Sequence, residues 1–516
     1  MNEQTHPVAE PRLTRLERIG KAIPDPVVIF MALWVIFFLL SVVLGGTTFP
    51  VAGSATGETL TIRSMAEVEN VRWIFDNMIL ANFLGFGGGV LGIILLIIMA
   101  VGVAEYTGLL GALIKRAGAA IPESMLAVSM VFLGIMSSIA VDAGYVILIP
   151  MAGLLYASLG KHPLVGMAAA FAGVSAGFSA NLIPGTPGDV IIGVNARAFT
   201  EAQGVPFVNP AGEPLNPATM HYWFIAASTL VLAPVGAWVT KRFVEPRLAR
   251  VPHEVPADLS IGEFALEPKE KKGLVYAGIG LLLSLGVIVL LAMGPLAPYT
   301  NPETGQEVVP YLERIVILIA LAFVVMGAAY GIATGAVKGI MDVVAGMVKQ
   351  MNTMGYVVVL SFFAYNALAL FAYSNLGALM THLGATGLLG LGLNEAPIPL
   401  MLGFILLTAI VNLLIGGMTS KWLLLGPMFI PMLYAVNPMM TPDVVSAAFR
   451  VGDSVTNIIT PMMIYMGVIL AFMRRYVPSF TLGELIITMV PYSIAFLVTW
   501  SAMLVVFLTF GIPLGF

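Results

Sequence analysis

Polar side chains interrupt two long apolar stretches of the chain, and these residues could do chemistry. The first set is Ser138, Asp142, Ser179, Asn181, Thr186 and Asp189. The second set is Asn412, Thr419, Ser420, Lys421, Arg450, Asp453, Ser454, Thr456 and Asn457. A charge at membrane depth costs roughly 2.5–3.5 kcal/mol on insertion scales, so each such group needs a partner or a task.

Each set contains an asparagine that precedes a proline by three or four residues, Asn181 before Pro184 and Asn457 before Pro461. A proline that breaks a spanning helix frees backbone carbonyls, and these oxygens together with Asn, Ser and Thr side chains suit a partly dehydrated Na+. The duplication predicts two symmetry-related cation sites. For either segment alone, a proline kink with satisfied polar side chains is the alternative.

Two residues of the second set, together with Trp422, could recognise an aromatic carboxylate. Arg450 and Asp453 are spaced i, i+3, so they share a helix face and can pair. Arg450 could hold a substrate carboxylate bidentately while Asp453 binds a cation or a proton. Trp422 could stack on an aromatic ring. The alternatives are a structural ion pair and a packed tryptophan.

Several other kinds of chemistry are excluded or not expected. The sequence has no cysteine, which excludes disulfides, thiol nucleophiles and Fe–S clusters. Its five histidines show no paired spacing, so we expect no zinc site and no cofactor, apart from Na+ as a coupling ion. No Ser/His or carboxylate pair has a positioned base, which argues against an enzyme. The formal charge of −4 gives no nucleic-acid footprint.

The composition requires these residues to sit in a membrane protein. The chain has 516 residues, of which 59% are apolar and 10% are charged, whereas soluble domains are about one quarter charged. The 54 glycines and 33 prolines indicate close helix packing and broken helices. We therefore predict an all-α polytopic membrane protein.

Nine apolar stretches are long enough to cross a bilayer, at about 20 residues per crossing. They are residues 27–45, 86–114, 163–199, 221–240, 273–293, 311–336, 354–376, 443–473 and 485–510. Two further apolar blocks, 123–160 and 398–437, contain polar interruptions, and each fits two spans or one re-entrant hairpin. We predict hairpins.

The basic residues set the orientation, because cytoplasmic loops are enriched in Lys and Arg. Their bias places the N-terminus in the cytoplasm and the C-terminus outside, whether the blocks are hairpins or paired spans. The predicted segments are a cytoplasmic N-terminal segment 1–26, a first half 27–240 with hairpin 123–160 and broken helix 163–199, a cytoplasmic loop 241–272, and a second half 273–516 with hairpin 398–437 and broken helix 443–473.

The two interrupted blocks begin an internal repeat of opposite sense. Each has a polar tip, an Ile-Pro-Met step at Pro150 or Pro431, an Ala-Phe step, and then Asn181 or Asn457 before a proline. The first copy starts from the cytoplasm and the second from outside, which is typical of transporters that bind substrate and ions between broken helices. Similar composition without common structure is the alternative.

The sequence resembles the p-aminobenzoyl-glutamate transporter (AbgT) family over nearly its whole length. The most specific strings are HPLVGMAAAFAGVSAGFSANL and AAFRVGDSVTNIITPMM. The resemblance implies nine spans plus two hairpins, an elevator-like architecture, and a homodimer in the bacterial inner membrane. It also implies cation-coupled transport of p-aminobenzoyl-glutamate or related folate precursors, with export of sulfonamide antimetabolites by some relatives.

The resemblance and the residue patterns together define the candidate site. Substrate-binding candidates are Arg450, Trp422, Thr419, Ser420, Asp189 and Ser138. Candidates for cation binding or coupling are Asn181, Asn412, Asp453, Asn457 and Asp142, and the helix-break prolines are Pro184, Pro442 and Pro461. Two features depart from the family: GTPGD carries one extra residue before Asp189, and Lys421 stands where relatives often have a neutral residue.

Three other functions remain as alternatives. A Na+-coupled carrier of aliphatic dicarboxylates shares every feature except Trp422, which favours an aromatic solute. A passive channel can use re-entrant loops but does not need two opposed copies. An intramembrane enzyme lacks a positioned base.

Overall fold

The structure is a computed structural model that describes residues 24–51, 59–118, 122, 125–139, 144–255, 265–300, 307–460, 463 and 465–516. Two candidate site residues, Asp142 and Pro461, lie outside the described residues, as does most of the N-terminal segment 1–26. The described part is helical apart from loops and two small antiparallel sheets.

The first half contains ten α-helices among the described residues. They are α1 (Pro26–Val43), α2 (Val68–Trp73), α3 (Phe83–Tyr106), α4 (Leu109–Gly118), α5 (Leu126–Met136), α6 (Ile149–Ser158), α7 (Pro163–Phe171), α8 (Pro187–Gln203), α9 (Tyr222–Val239) and α10 (Glu245–Leu248). π-Helical turns occur at Ile74–Asn82, Gly144–Leu148, Ala172–Ala176 and Thr240–Val244, and a 3-10 turn at Ser137–Ile139.

The second half contains eleven α-helices among the described residues. They are α11 (Pro268–Met293), α12 (Pro310–Glu313), α13 (Ile315–Thr334), α14 (Ile340–Thr353), α15 (Gly355–Tyr373), α16 (Leu376–Gly390), α17 (Pro397–Leu414), α18 (Met418–Val436), α19 (Pro442–Thr456), α20 (Met466–Arg474) and α21 (Leu482–Thr509). The strands pair as β1 (Thr48–Pro50) with β2 (Thr59–Thr61) and β3 (Tyr299–Thr300) with β4 (Glu307–Val308).

Seven described helices are long and apolar enough to cross a membrane. They are Pro26–Val43, Tyr222–Leu248, Pro268–Met293, Ile315–Thr334, Gly355–Tyr373, Pro397–Leu414 and Leu482–Thr509. Six of them coincide with predicted spans. The seventh, α17, lies inside block 398–437. The other three predicted spans, 86–114, 163–199 and 443–473, each fall on helices with an interruption.

Each sequence block with a polar interruption contains two α-helices among its described residues. In the first block, α5 continues into the 3-10 turn Ser137–Ile139, and the π-helical turn Gly144–Leu148 leads into α6. In the second, α17 and α18 are joined through Gly416 and Gly417, and Gly417 has a φ of 81°. A positive φ favours glycine, which explains the residue type at Gly417.

Two helices longer than ten residues, α14 and α16, lie where hydropathy predicted none. Helix α14 follows the predicted span 311–336, and α16 precedes block 398–437. Both are short, at 14 and 15 residues. Each falls below the length used to recognise a span, which is why hydropathy alone missed them.

The core is built around the two interrupted helices. Every residue of α7 and every residue of α19 is buried. Helix α19 packs against α17, α18 and α21, and its residue Gly452 faces the backbone of α17. A Cβ at Gly452 would lie 2.4 Å from the Ile405 carbonyl oxygen, and one at Gly173 would lie 2.2 Å from the Val131 carbonyl oxygen. The same close packing therefore recurs in both repeats.

Candidate functional site

A cavity of about 590 Å³ runs from the surface to the interrupted helix of the second repeat. At its outer end lie Asp25 and Tyr356, both exposed, and the Tyr356 hydroxyl donates to the Asp25 carboxylate. At its inner end lie Asn412, Asp453 and Asn457. A buried carboxylate is thus reached through an opening at the start of α1.

Four of the predicted site residues line this cavity. They are Asn412, Ser420, Asp453 and Asn457. Arg450, Trp422, Thr419, Asp189, Ser138 and Asn181 are not among its lining residues. The four candidates that line the cavity all come from the second half of the chain, whereas Asp189, Ser138 and Asn181 of the first half do not line it.

Two residues at the inner end of the cavity, Asn412 and Asp453, contact a buried lysine that does not itself line the cavity. The Lys421 Nζ lies 2.6 Å from Asp453 Oδ1, and both side chains are 1% exposed. The same ammonium donates to Asn412 Oδ1. We call Asn412, Lys421 and Asp453 the Lys421 cluster. Asp453 Oδ2 has no hydrogen-bond partner among the described residues.

Asn412 fixes this cluster to the interrupted helix. Its side-chain amide nitrogen donates to the Asp453 carbonyl at 2.6 Å, to Thr456 Oγ1 at 2.8 Å and to Asn457 Oδ1 at 2.9 Å. The amide group is thereby oriented so that its oxygen faces the Lys421 ammonium. Asn412 and Asn457 were both predicted to bind a cation, and their oxygens accept N–H groups of the protein here.

The predicted pairing of Arg450 with Asp453 is wrong. Arg450 Nη2 lies 2.6 Å from Asp189 Oδ1, with both side chains 4% exposed, and it also donates to the Ser179 carbonyl at 3.0 Å. Asp453 pairs with Lys421 instead. Residues spaced i, i+3 can pair, but burial gives each charge a partner from a neighbouring element.

Local structure explains how Asp189 reaches Arg450. Thr186 is the N-cap of α8 and Pro187 is its first residue; the Thr186 hydroxyl accepts from the Asp189 amide, and Asp189 Oδ2 accepts from the Thr186 amide. This capping box holds one carboxylate oxygen, which leaves Oδ1 for the guanidinium. Pro187 and Gly188 of the GTPGD string are the first two residues of α8.

His221 belongs to this charge network and was missed by the sequence analysis. Arg450 Nη1 donates to His221 Nδ1 at 3.4 Å, which leaves the ring proton on Nε2. That proton is donated to the Asp443 carbonyl at 3.0 Å. No spacing signal could have found it, because His221 and Arg450 lie 229 residues apart in the chain.

Trp422 packs between helices rather than lining the cavity. It is fully buried, and its indole nitrogen donates to the Ile192 carbonyl of α8 at 3.0 Å. Its ring lies against Phe199 and Phe449. This arrangement matches the packing alternative and ties the second repeat to α8.

Asn181 repeats the link between a helix interruption and a block tip. Its Nδ2 donates to Ser138 Oγ at 2.9 Å, and its Oδ1 accepts from the Ile183 amide at 2.8 Å. In the second repeat, Asn457 makes the corresponding contact with Asn412 near the Gly416 turn. Each asparagine therefore lies next to a helix interruption and contacts a polar side chain of the neighbouring block.

The remaining predicted residues take simpler positions. Pro184 lies in the interruption between α7 and α8, while Pro442 is the first residue of α19 and so begins that helix. Thr419 lies in the first turn of α18 and is half-buried. Among the described residues, no group of three or more His, Asp or Glu side chains could hold a metal ion.

Two tyrosines on the cavity wall were not predicted. The rings of Tyr145 and Tyr465 are stacked, with centroids 4.3 Å apart and an interplanar angle of 9°. Phe178 lines the same cavity. The pair brings together the two repeats, and its members are too far apart in sequence for any local pattern to join them.

The chain is similar to known transporters over its full length. The sequence profile of the AbgT putative transporter family matches residues 12–516. The p-aminobenzoyl-glutamate transport protein of Escherichia coli (strain K12) is 30% identical over 505 residues, which cover 97% of this chain and 95% of that protein.

Two solved structures share the fold. The YdaH transporter of Alcanivorax borkumensis is 36% identical with a TM-score of 0.85, covering 95% of this chain and 100% of that chain. MtrF of Neisseria gonorrhoeae, described as illuminating a class of antimetabolite efflux pumps, is 35% identical with a TM-score of 0.83, covering 95% and 96%. The resemblance seen in the sequence is thereby confirmed. The chain is a membrane protein that belongs to the AbgT putative transporter family.

Proposed function

We propose that this protein is a secondary active, cation-coupled transporter of p-aminobenzoyl-glutamate or related aromatic carboxylates in the bacterial inner membrane. The observation that carries the proposal is the cavity that joins exposed Asp25 to buried Asp453. A path from one surface to a charged group between interrupted helices is what alternating access requires.

The cavity wall suits an aromatic solute. Tyr145, Tyr465 and Phe178 offer ring faces, and Ser175 and Ser420 supply hydroxyl groups beside them. Stacked aromatic pairs contribute about 0.5–1.5 kcal/mol beyond the area they bury. The tyrosines therefore take over the stacking role that the sequence analysis gave to Trp422. The name of the Escherichia coli relative supports an aminobenzoyl ligand.

The anion of the substrate needs a cationic partner near the cavity. Lys421 contacts Asp453 at the inner end of the cavity, and Arg450, one turn before Asp453 on α19, is held by Asp189. We propose that a substrate carboxylate exchanges with Asp189 on Arg450 when the two repeats move apart. In the empty carrier, Asp189 therefore neutralises the Arg450 guanidinium, a role that the i, i+3 spacing had assigned to Asp453.

The proposed architecture has nine spans and two re-entrant hairpins, 123–160 and 398–437, with the N-terminus in the cytoplasm and the C-terminus in the periplasm. Support comes from the equivalent contacts of Asn181 and Asn457 and from the cavity mouth at the start of α1. An elevator-like movement and a homodimer complete the proposal. Exposed apolar side chains on α11, such as Leu282 and Leu290, provide surface for lipid or a second copy.

Flux into proteoliposomes tests this function. We expect p-aminobenzoyl-glutamate to accumulate above its equilibrium level under an imposed Na+ or H+ gradient, and to leave when the gradient is dissipated. Equilibration without accumulation would indicate a channel. Accumulation of succinate but not of the aromatic compound would instead support an aliphatic dicarboxylate carrier. Sulfonamide competition, measured in the same vesicles, tests export of antimetabolites, which the description of MtrF suggests.

A further inference from the structure

Two oxygen-bearing side chains of the Lys421 cluster lie beside its positive charge. Asp453 Oδ1 and Asn412 Oδ1 converge on the Lys421 Nζ, and Asp453 Oδ2 lies unpartnered on the same carboxylate. Carboxylate and amide oxygens are the hard ligands that Na+ prefers. These oxygens border the second-repeat interruption, where the sequence pattern predicts a cation.

The first repeat differs in the charge at the equivalent place. There, Asn181 contacts Ser138, and both described partners are neutral. In the second repeat, the contact between Asn457 and Asn412 is extended to the ammonium of Lys421. The Lys421 side chain of α18 therefore places a positive charge beside the second interruption.

We propose that the Lys421 ammonium is a tethered cation that occupies the place of a coupling ion in the second repeat. A single carboxylate balances one positive charge, so a free Na+ beside Lys421 would meet repulsion that burial makes strong. A tethered group also needs no binding from solution. The protein then binds one Na+ fewer than it would without Lys421.

The position of Lys421 supports this role over a purely structural one. Its aliphatic stem lies on buried α18, and its side chain is 1% exposed, although the cavity reaches its partners Asn412 and Asp453. Removing the side chain leaves three oxygens at the cavity wall with space between them. A hydrated ion can reach these oxygens through the cavity from Asp25.

This inference deepens the proposed function, but its test measures cation binding and needs no substrate. Equilibrium binding of radioactive 22Na+ to purified protein gives the number of ions per chain. We expect at most one Na+ in the wild type and one more in Lys421→Ala. Lys421→Ala combined with Asp453→Asn should lose the additional ion, because the carboxylate is its main ligand.

Lys421→Met is the matched control. It removes the charge but fills the same volume, so we expect no additional ion. Two Na+ per wild-type chain would overturn the inference, and so would a Lys421→Ala variant with unchanged stoichiometry.

The number of Na+ ions bound per wild-type chain still tests the inference if Lys421→Ala folds poorly. Rescue of that variant's thermal stability by NaCl, but not by choline chloride, would support the tethered cation. Equal stability in both salts would contradict it. Absence of p-aminobenzoyl-glutamate uptake would defeat the proposed function without changing any of these ion counts.

Discussion

The Arg450 guanidinium lies 2.6 Å from the Asp189 carboxylate, and this ion pair joins the interrupted helix of one repeat to that of the other. Ser454 strengthens the connection, since its hydroxyl donates to Ser179 Oγ at 2.7 Å. Any movement of one repeat against the other must break or carry these contacts. The pair therefore ties the two interrupted helices together within the core.

Arg450→Lys separates recognition from packing. Lysine keeps the charge but loses the planar group that contacts Asp189, Ser179 and His221 together. We expect the variant to fold as the same oligomer, to bind substrate at least tenfold more weakly and to retain cation binding. Ligand binding and 22Na+ binding on the same preparation measure this.

The control for Arg450→Lys is Arg247→Lys, because Arg247 is exposed. Near-normal substrate affinity in Arg450→Lys would show that Arg450 has a structural role only. Removal of one member of a buried pair typically costs about 3–5 kcal/mol, so Arg450→Ala is expected to fold poorly and is less informative.

Tyr465→Ala tests the aromatic wall of the cavity. The ring of Tyr465 stacks on Tyr145, so we expect alanine to weaken binding of p-aminobenzoyl-glutamate by about tenfold, which corresponds to about 1.4 kcal/mol. Tyr465→Phe keeps the ring and should bind nearly as well as the wild type. Isothermal titration calorimetry provides the affinities. Equal affinity in the alanine and phenylalanine variants would exclude stacking.

The sequence predicted those features that depend on local pattern. Apolar runs located six membrane-length helices, and the repeated asparagines Asn181 and Asn457 each contact a polar side chain of an interrupted block. Helix α17 shows the limit of prediction from local pattern. Its length of 18 residues fits a membrane span, whereas the polar turn at Gly416 that follows it favoured a hairpin. Hydropathy indicates that a segment is apolar enough to lie in lipid. It does not indicate whether the chain then crosses the membrane or turns back as a re-entrant hairpin.

Charge pairing could not be predicted from spacing. Arg450 and Asp453 share a helix face, yet each pairs with a residue from a different element, Asp189 and Lys421. The choice depends on which helices surround α19, and this is a property of tertiary packing. His221, Tyr145 and Tyr465 were missed for the same reason, because long-range contacts assemble their surroundings.

The loop between α6 and α7 should respond to pH. His162 caps α7 by accepting the Leu164 amide on Nδ1, and its Nε2 contacts the Val251 carbonyl. Burial, together with the nearby His253, lowers the pKa of His162 below its usual value of about 6.5. Because the pKa of His162 is lower in the folded state than in the unfolded state, the neutral cap contributes its full stability above about pH 6.5. This contribution is lost as the pH falls below that value.

Thermal unfolding at pH 7.5 and at pH 5.0 measures the effect of this cap. We expect the wild type to lose about 1 kcal/mol of stability on acidification, the usual worth of a helix cap. His162→Asn should keep an N-cap acceptor and lose most of the dependence. An asparagine variant as sensitive to pH as the wild type would place the titrating group elsewhere.

Gly452→Ala should disturb the contact between α19 and α17. The added Cβ would lie 2.4 Å from the Ile405 carbonyl oxygen and 2.7 Å from Thr408 Cβ, so the two helices would have to separate. Overpacking of this kind typically costs about 1–3 kcal/mol, which exceeds the roughly 1 kcal/mol that alanine gains over glycine in a helix. We expect a lower melting temperature in detergent and slower transport.

Gly467→Ala is the matched control, because Gly467 lies in helix α20 and a Cβ added there would meet no neighbouring atom within 4 Å. This variant should gain stability or leave it unchanged, since only the helix propensity changes. Small residues allow membrane helices to approach closely, and a difference between the two variants isolates that effect from propensity. If both variants melt alike, the backbone approach at Gly452 does not limit the packing of the second repeat.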